Sequence, residues 1–258
     1  MPTALITGAS SGIGKAFAQE LAARQTNLVL VSRSEEKLNQ IAKQLQEQYK
    51  IQVDVIVKDL TEPNAPAAVF DATKAKQLTI DLLINNAGFG DYGDFAQNDR
   101  ERQIKIVQLN IVALVDLTHQ FLPLMRQRSS GSIINLSSIT AFQPMPYLSV
   151  YAASKAFIVS FSQALWAENR SYGVRVLVAC PGPIETNFFA EANFPPALAG
   201  STKQMSTSEE VVRESLKALE EWQPNVVIGD TTTQLRTILA RIVPRKILLN
   251  MLAKKFKA

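Results

Sequence analysis

The segment that decides the fold reads Ala4-Leu5-Ile6-Thr7-Gly8-Ala9-Ser10-Ser11-Gly12-Ile13-Gly14. An apolar run of strand length, residues 4–7, passes through a glycine-rich turn into a helical pattern over residues 14–24. Glycines let the backbone turn tightly and approach a pyrophosphate, whose charge is met by amides at the N-terminus of the next helix. The spacing is G-x-x-x-G-x-G rather than the common G-x-G-x-x-G. At a first strand–helix junction, this turn predicts a dinucleotide-binding fold.

Short apolar runs alternate with helical patterns along most of the chain. Strands are predicted at residues 4–7, 28–31, 53–57, 80–84, 132–136, 174–179 and 226–228, and helices at 14–24, 35–48, 100–126, 151–169 and 209–221. Strands that are apolar on both faces and separated by helices imply a parallel sheet covered on both sides. Right-handed crossovers then give an α/β, doubly wound Rossmann-type sheet of about seven strands in the order 3-2-1-4-5-6-7.

The chain is predicted to form one domain, because no linker rich in Pro, Gly or Ser divides it. Residues 1–229 are expected to form the dinucleotide-binding catalytic domain, with a substrate lid at about 187–205. Residues 230–258 are expected to form a basic, amphipathic helical extension of the same domain.

Composition and length are those of a globular protein. The chain has 258 residues, 47% of them hydrophobic and 19% charged. Cys180 is the only cysteine, which excludes an intramolecular disulfide and fits a reducing compartment. The N-terminus lacks the pattern of a signal peptide, and no stretch approaches the ~18 uninterrupted apolar residues of a membrane span. We therefore expect a cytoplasmic protein, at most peripheral to a membrane.

The net charge of +4 is unevenly distributed. Residues 230–258 carry seven Lys/Arg against Asp230 alone, whereas the rest of the chain carries 20 basic and 22 acidic groups. The basic character belongs to the tail and does not indicate a nucleic-acid-binding domain. The lone His119 has no ligand partner near it in sequence, so no metal site is predicted.

The residues after the second predicted strand distinguish two dinucleotides. An acidic residue there would bind the ribose 2′-hydroxyl of NAD, but this chain reads Val31-Ser32-Arg33-Ser34. Arg33 cannot accept a hydrogen bond from a hydroxyl, whereas it can pair with a 2′-phosphate. We therefore predict NADP(H) as the cofactor. The alternative, an arginine solvated at a strand end, stays open because position 11 holds serine rather than a basic residue.

Tyr151 and Lys155 stand four residues apart on a predicted helix, with Ser138 thirteen residues upstream of the tyrosine. Positions i and i+4 share a helix face, so the phenol and the ammonium are expected to face the same space. A phenol normally has a pKa near ~10. A nearby positive charge favours the phenolate, so Lys155 is predicted to lower the pKa of Tyr151 towards neutrality and make it an acid or base. The pair alone also occurs by chance on many helix surfaces.

Several separate motifs, in the family's order, give the chain a resemblance to the short-chain dehydrogenase/reductase family in its compact form. They cover about residues 3–186. The motifs are T-G-x-x-x-G-x-G at Thr7 to Gly14, Asp59-Leu60 beside the adenine, N-N-A-G at Asn85-Asn86-Ala87-Gly88, Asn110 in the long fourth helix, N-x-S-S at Asn135-Leu136-Ser137-Ser138, Y-x-x-x-K at Tyr151 to Lys155, and P-G-x-x-x-T at Pro181 to Thr186.

The resemblance implies a catalytic tetrad of Asn110, Ser138, Tyr151 and Lys155. Ser138 would orient a substrate carbonyl, Tyr151 would protonate its oxygen, and hydride would come from C4 of the nicotinamide. Lys155 would also hold the nicotinamide ribose, and Asn110 would support a water chain that replenishes the proton. The residues expected to bind NADP(H) are Gly8, Ser10, Ser11, Gly12, Ile13, Gly14, Arg33, Asp59, Leu60, Asn86, Ala87, Gly88, Tyr151, Lys155, Pro181, Gly182, Ile184 and Thr186.

The residues around the expected substrate end are largely apolar. They include Phe142, Met145, Tyr147 and Leu148, then Phe188, Phe189, Phe194 and Leu198, and also Phe89, Tyr92 and Phe95. Our hypothesis is a pocket for a hydrophobic ketone, aldehyde or 3-oxoacyl thioester, or for the corresponding alcohol. The alternative is that these side chains only hold the lid on the protein. An NADP preference makes reduction the expected direction.

The tail has an apolar stripe at Leu235, Ile238, Leu239, Ile242 and Val243, which Pro244 interrupts before the pattern resumes. This pattern fits a helix docked on the core or on a neighbouring subunit, or an interfacial helix resting on an anionic membrane. Relatives usually associate through the fourth helix and the helix that bears the tyrosine, so the resemblance implies a homodimer or homotetramer. Two function classes remain: an NADPH-dependent carbonyl reductase, and a catalytically idle NADP(H)-binding sensor or scaffold.

Overall fold

A parallel sheet with the strand order β3-β2-β1-β4-β5-β6-β7 forms the centre of this computed structural model, which describes residues 1–184, 186–196 and 205–257. The strands are β1 Thr3–Thr7, β2 Asn27–Ser32, β3 Val53–Val57, β4 Leu82–Asn85, β5 Gly131–Leu136, β6 Val174–Pro181 and β7 Asn225–Ile228. The predicted fold class and strand order are confirmed.

The helices follow the strands as a doubly wound sheet requires. They are α1 Gly12–Ala23, α2 Glu35–Tyr49, α3 Ala65–Ala75, α4 Arg100–Val107, α5 Leu114–Gln127, α6 Ser149–Asn169, α7 Phe188–Glu191, α8 Ser208–Glu220, α9 Thr231–Ile242 and α10 Arg245–Phe256. A π-helical turn, Gln108–Ala113, joins α4 to α5, and 3₁₀ turns lie at Ile139–Phe142 and Arg170–Tyr172.

Both faces of the sheet are covered, and the two faces have separate cores. Along β1, Ala4 and Ile6 belong to one apolar cluster and Leu5 to the other, as the two-residue repeat of a strand requires. The first cluster packs α1, α2 and α8 onto the sheet, and the second packs α3, α5 and α6. The helices therefore leave the ends of the strands uncovered.

Besides shifts of element ends by one or two residues and the short helix α7, the structure differs from the sequence prediction in the following elements. The predicted continuous helix at 100–126 is α4, a π-helical turn and α5. The predicted strand at 80–84 begins two residues later, at Leu82. The helix α3 was not predicted, because its sequence, rich in alanine and short in large apolar residues, has only a weak apolar stripe.

The helical segment Arg100–Gln127 is long and apolar enough, by length and composition alone, to cross a membrane. Core helices that pack on a sheet meet the same criterion. Here Leu117, Phe121 and Met125 of α5 are buried in the second core cluster. Charged residues also interrupt the segment, which agrees with the sequence expectation of no uninterrupted apolar span.

The glycine-rich turn joins β1 to α1 by a very close approach. Gly8 and Gly12 have positive φ angles of 66° and 50°, which favour glycine. A Cβ atom on Gly14 would lie 2.3 Å from the carbonyl oxygen of Gly8 and 2.6 Å from Nδ2 of Asn86. The Asn86 side chain in turn donates hydrogen bonds to the carbonyls of Thr7, at 2.9 Å, and Gly8, at 3.3 Å. The absence of a side chain at Gly14 therefore lets the first turn of α1 pack this closely against the end of β1.

Replacing Gly14 by alanine is expected to lower the free energy of unfolding by about 3 kcal/mol, because the new methyl group overlaps backbone that cannot move freely. Urea unfolding followed by circular dichroism measures the loss. Gly182→Ala is the matched control, since its Cβ would meet nothing closer than Cγ2 of Thr233 at 3.2 Å. Equal unfolding midpoints for Gly14→Ala and the native chain would contradict the proposed contact.

Candidate active site

The carboxyl ends of the strands open onto one cleft of about 1390 Å³. Each strand is followed by at least one residue that lines it. From β1 to β7 along the chain, these residues include Gly8, Arg33, Asp59, Asn86, Ser138, Gly182 and Asp230. This is the edge at which open α/β sheets bind ligands.

The structure brings nearly all of the predicted site residues to this cleft. The predicted residues that line it are Gly8, Ser10, Ser11, Gly12, Ile13, Arg33, Asp59, Leu60, Asn86, Ala87, Gly88, Ser138, Tyr151, Lys155, Pro181, Gly182, Ile184 and Thr186. Gly14 does not line the cleft, since it packs behind the turn against Gly8. Asn110 also lies behind the cleft wall, against Gly88 and Phe89.

The N-terminus of α1 fits a pyrophosphate. Ser11 precedes the helix in an extended conformation, and within the described residues its side chain caps no amide of the first turn. The first N–H groups of a helix have no partner inside the helix and carry its positive dipole end. Ser10, Ser11, Gly12 and Ile13 line the cleft here and would hold the phosphates of a dinucleotide.

Three basic side chains surround the far end of the cleft, where the adenosine ribose of a dinucleotide would lie. Nη1 of Arg33 lies 3.7 Å from Oδ2 of Asp59, and the Arg33 side chain is 77% exposed. Lys37 and Lys58 line the same end, and neither was predicted from the sequence. A basic residue four positions after Arg33 on α2, and another beside Asp59, were signals available for them.

Asp59 is ionised in this environment. Burial raises the pKa of its carboxyl group. Hydrogen bonds from the backbone and side chain of Thr61 and the charge of Arg33 lower this pKa by more than burial raises it, so the net shift is downward. The carboxylate accepts from the Thr61 N–H at 2.9 Å and the Thr61 hydroxyl at 2.8 Å. It can therefore orient the Arg33 guanidinium across the end of β2 and β3.

Ser138, Tyr151 and Lys155 lie together at the floor of the cleft. Ser138 follows β5, and its hydroxyl is hydrogen-bonded to the Tyr151 phenol and accepts from the Thr140 N–H at 3.2 Å. Nζ of Lys155 lies 5.6 Å from the centroid of the Tyr151 ring, on the same face of α6. Nζ donates a 2.9 Å hydrogen bond to the Leu136 carbonyl. The predicted i, i+4 arrangement is therefore present.

The prediction that Lys155 lowers the pKa of Tyr151 is wrong for this structure. Burial raises the pKa of the phenol to about 12, and the hydrogen bond from Ser138 opposes this only in part. Burial also lowers the pKa of Lys155 to about 8, with a small opposing effect from Cys180. Exclusion of water therefore shifts the pKa of each group towards its neutral form, so that at neutral pH Tyr151 is a phenol while Lys155 is still mostly an ammonium.

Asn110 occupies the π-helical turn between α4 and α5. Its Oδ1 accepts from the Phe89 N–H at 3.1 Å, and its Nδ2 donates to the Phe89 carbonyl at 3.1 Å and to the Ser154 hydroxyl at 3.0 Å. π-Helical turns occur often at functional sites. Gly88 lies between the Asn110 amide and Lys155. A Cβ at this position would lie 2.9 Å from Oδ1 of Asn110 and 3.4 Å from Nζ of Lys155, so the absence of a side chain lets the two approach each other. The role of Asn110 in proton supply stays a prediction.

Aromatic and apolar side chains form the substrate end of the cleft. The rings of Tyr151 and Phe188 are 5.2 Å apart, and Phe189 and Phe194 continue the cluster with centroids 5.1 Å apart. Phe89, Phe142, Met145 and Leu148 also line this end, whereas Phe95 is exposed and does not. Of the predicted lid, 187–205, residues 197–204 lie outside the described residues, among them Leu198.

Asp91, which the sequence analysis missed, ties the lid to the domain. Its buried carboxylate accepts from Nε of Arg102 at 2.9 Å, from Nε2 of Gln103 at 2.8 Å and from Nδ2 of Asn193 at 2.8 Å. The Tyr92 N–H donates to the Ala192 carbonyl at 2.8 Å. These partners come from α4 and from the lid, so no local sequence pattern indicated them.

The two C-terminal helices cover the substrate end. Leu239 and Ala240 of α9, with Leu248 and Leu252 of α10, line the cleft. The Tyr92 hydroxyl donates a hydrogen bond to the Phe256 carbonyl. The extension therefore docks on the catalytic domain and contributes to the site.

Comparison with known proteins agrees with this geometry. A family model described as short chain dehydrogenase matches residues 2–195. The chain is similar to a very-long-chain 3-oxoacyl-CoA reductase of Anas platyrhynchos, with 40% identity over 189 residues, which is 71% of this chain and 60% of that protein. It is also 38% identical, over 194 residues, to inactive hydroxysteroid dehydrogenase-like protein 1 of Homo sapiens, covering 74% of this chain and 58% of the human protein. The chain thus matches about six-tenths of the length of these relatives.

Among solved structures, a short-chain dehydrogenase from Sphingobium yanoikuyae in complex with NADPH has a TM-score of 0.84 and 30% sequence identity. The match covers 97% of this chain and 95% of that one. The likeness therefore extends beyond the family-model match and includes the C-terminal region.

The Nζ group of Lys155 is expected to titrate near pH 8 rather than near the ordinary 10.5, because burial disfavours its charge. The Cε chemical shift of Lys155, assigned with Lys155→Arg, measures this midpoint in the native protein. A midpoint of 10 or above would contradict the burial argument.

The same shift predicts how stability changes with pH. Between pH 8 and 10.5 the folded state has released the Lys155 proton and the unfolded state has not, so the native chain gains stability as the pH rises through this window. The free energy of unfolding of the native chain, relative to that of the non-titrating Lys155→Met variant, is expected to increase by up to about 1.4 kcal/mol per pH unit. Parallel urea-unfolding series at pH 7 to 10 measure the difference.

Proposed function

This chain belongs to the short-chain dehydrogenase family, and we propose that it is an NADPH-dependent reductase of hydrophobic ketones, aldehydes or 3-oxoacyl thioesters. One observation carries the proposal: Ser138, Tyr151 and Lys155 lie at the floor of one cleft, between a phosphate-binding turn and an apolar chamber. The polar end suits a dinucleotide and the apolar end suits a substrate without charge near its carbonyl.

The proton chemistry rests on the side chains of Tyr151 and Ser138. A phenol with a pKa of about 12 stays protonated at neutral pH, so Tyr151 is available as the acid that protonates a developing alkoxide. The Thr140 N–H occupies an acceptor position of Ser138, which leaves the serine proton for Tyr151 or for the substrate oxygen. The protonated phenol suits the reductive direction, in which Tyr151 donates its proton, whereas the oxidative direction needs the phenolate as base.

Nicotinamide, when bound, supplies the hydride that reduces the carbonyl carbon. The residues proposed to hold NADP(H) are those of the glycine turn, Arg33 with Asp59, the Asn86–Gly88 segment, and Pro181 to Thr186. An ammonium has three donors, of which Lys155 uses one on the Leu136 carbonyl. Its remaining donors are proposed to bind the nicotinamide ribose.

The substrate class follows from the lining of the chamber. Phenylalanines of the lid and aliphatic side chains of α9 and α10 make this chamber largely apolar, which favours a hydrophobic carbonyl compound over a small charged oxo acid. The name of the Anas platyrhynchos relative, a very-long-chain 3-oxoacyl-CoA reductase, supports a long apolar substrate.

A second candidate is a catalytically idle NADP(H)-binding protein. The name of the human relative, which calls it inactive, favours this alternative. The intact set of Ser138, Tyr151 and Lys155 argues against it, because an idle protein would be free to lose any of them.

Association into a homodimer or homotetramer stays a prediction. Ile104 of α4, Val112 of the π-helical turn and Phe157 of α6 are exposed large apolar side chains. They supply surface for the association that the family resemblance implies through these helices. A cytoplasmic location likewise stays a prediction.

Purified protein is expected to oxidise NADPH with hydrophobic ketones and 3-oxoacyl thioesters and to prefer them to small charged oxo acids. Tyr151→Phe is expected to lower the turnover rate by about 10² to 10⁴ and to keep NADPH binding. Absorbance at the NADPH band measures turnover, and cofactor fluorescence measures binding. Tyr172→Phe, at an exposed tyrosine outside the cleft, is the control.

The outcomes separate the two candidates. Turnover that the Tyr151→Phe variant retains in full would exclude the proposed acid. NADPH binding without turnover of any carbonyl would favour the idle protein. A preference for small charged oxo acids would exclude the hydrophobic substrate class.

Replacing Arg33 by alanine is expected to weaken NADPH binding by about tenfold or more and to leave NADH binding nearly unchanged, because only NADPH carries the 2′-phosphate. Titration of cofactor fluorescence gives both affinities. Lys43→Ala, on the same helix as Lys37 but outside the cleft, is the matched control. Equal weakening of NADPH binding and NADH binding would show that Arg33 does not contact the 2′-phosphate.

A further inference from the structure

The C-terminal hairpin, defined as α9 and α10 with the turn at Val243 and Pro244, has two different sides. Its inner side is buried, with Ala240, Leu248 and Leu252 forming an apolar cluster. Its outer side exposes large apolar side chains that no described residue covers. Those of Leu235, Ile238, Ile242 and Ile247 are 53%, 55%, 72% and 54% exposed.

The exposed apolar residues form a stripe. Leu235, Ile238 and Ile242 stand at i, i+3 and i+7 on α9, so they lie along one face of the helix. Ile247, at the start of α10, adds a fourth exposed apolar side chain just after the turn. Single exposed apolar side chains are ordinary on a protein surface, whereas a continuous stripe marks a site of interaction.

Positive charge surrounds this stripe. Arg245, Lys246, Lys254 and Lys257 of the hairpin region are exposed, and Lys255, which is also exposed, lines the cleft. Residues 230–258 carry seven Lys/Arg and one Asp, while the rest of the chain has more acidic than basic groups. This arrangement is complementary to an anionic surface, and it would repel the same face of a second copy.

We propose that the outer side of the C-terminal hairpin docks on an anionic lipid bilayer. The isoleucine stripe would enter the boundary between headgroups and acyl chains, and the lysines would contact anionic headgroups. Docking in this sense concerns the surface of the membrane, not a segment that spans it.

Docking would also place the cleft at the lipid surface, because the hairpin that touches lipid lines the substrate end with its other side. Leu239 and Val243 line the cleft and directly follow Ile238 and Ile242 of the outer stripe in sequence. A ketone dissolved in the bilayer would then enter between the hairpin and the lid. This consequence rests on the proposed reductase activity, whereas docking itself does not.

The experiment is co-sedimentation of the full chain with phosphatidylcholine vesicles that contain or lack phosphatidylserine. We expect recovery with the anionic vesicles. Ile238→Glu combined with Ile242→Glu, and separately Lys246→Glu combined with Lys254→Glu, are each expected to weaken binding by about tenfold or more. Lys43→Glu combined with Lys217→Glu is the control, because it changes the net charge as much at exposed sites outside the hairpin.

Two results would overturn the proposal. One is equal recovery of the native chain with and without vesicles, or native-like binding by the isoleucine variant. The other is a native oligomer that the isoleucine variant converts to a monomer without any vesicle binding, since the stripe would then be a subunit contact. These readouts need no turnover, so they remain decisive even if the protein reduces no carbonyl.

The delivery step has its own readout. The isoleucine variant is expected to lose about tenfold in rate with a ketone held in anionic vesicles and to keep the native rate with a water-soluble ketone. Equal loss on both ketones would mean that the variant damages the site, and equal retention would overturn delivery through the hairpin.

Discussion

The close approach of Gly14 to the Gly8 carbonyl is the contact on which the rest of the site depends. It brings the N-terminus of α1 against the end of β1, which leaves the first helical amides facing the cleft. Asn86 fixes this contact from the neighbouring strand by bonding to the carbonyls of Thr7 and Gly8. The Thr7 hydroxyl accepts from the N–H groups of Asn86 and Ala87 at 3.0 Å. One small set of hydrogen bonds therefore aligns the N-terminus of α1 with the segment that leads to Asn110 and Lys155.

That segment also positions the residues of the predicted tetrad. Beyond Ala87, the chain passes Gly88, where the absence of a side chain lets Asn110 and Lys155 approach each other. Phe89 then exchanges both of its backbone hydrogen bonds with the Asn110 amide. Asn110 also holds the Ser154 hydroxyl, which donates to the Tyr151 carbonyl at 2.7 Å. The position of the phenol is thus coupled to the glycine turn through backbone and amide contacts rather than through charge.

The sequence predicted the strand order and nearly all cleft-lining motifs, because each of those motifs is a short run that follows a strand. Parallel strands bring their carboxyl ends to one edge, so local patterns suffice there. The role of Asp91 depends on contacts between distant segments, and so does the way the C-terminal hairpin covers the cleft, so no local spacing encodes either of them. The pKa of Tyr151 was predicted with the wrong sign for a related reason. The distance between two ionisable groups on a helix follows from their spacing in the sequence. The burial that dominates the pKa of Tyr151 depends instead on the whole fold.

The cleft combines two environments that would be incompatible in a single small pocket. At the end near β2 and β3, Arg33, Lys37 and Lys58 offer charge to a solvated phosphate. At the other end, the lid and the hairpin exclude water, and the same exclusion raises the pKa of Tyr151. An apolar cover is therefore more than a binding surface, since it changes the proton affinity of the phenol beneath it. The proposed docking on a bilayer would remove the outer side of the hairpin from water as well, so that the apolar cover over Tyr151 would have lipid on one side and the cleft on the other.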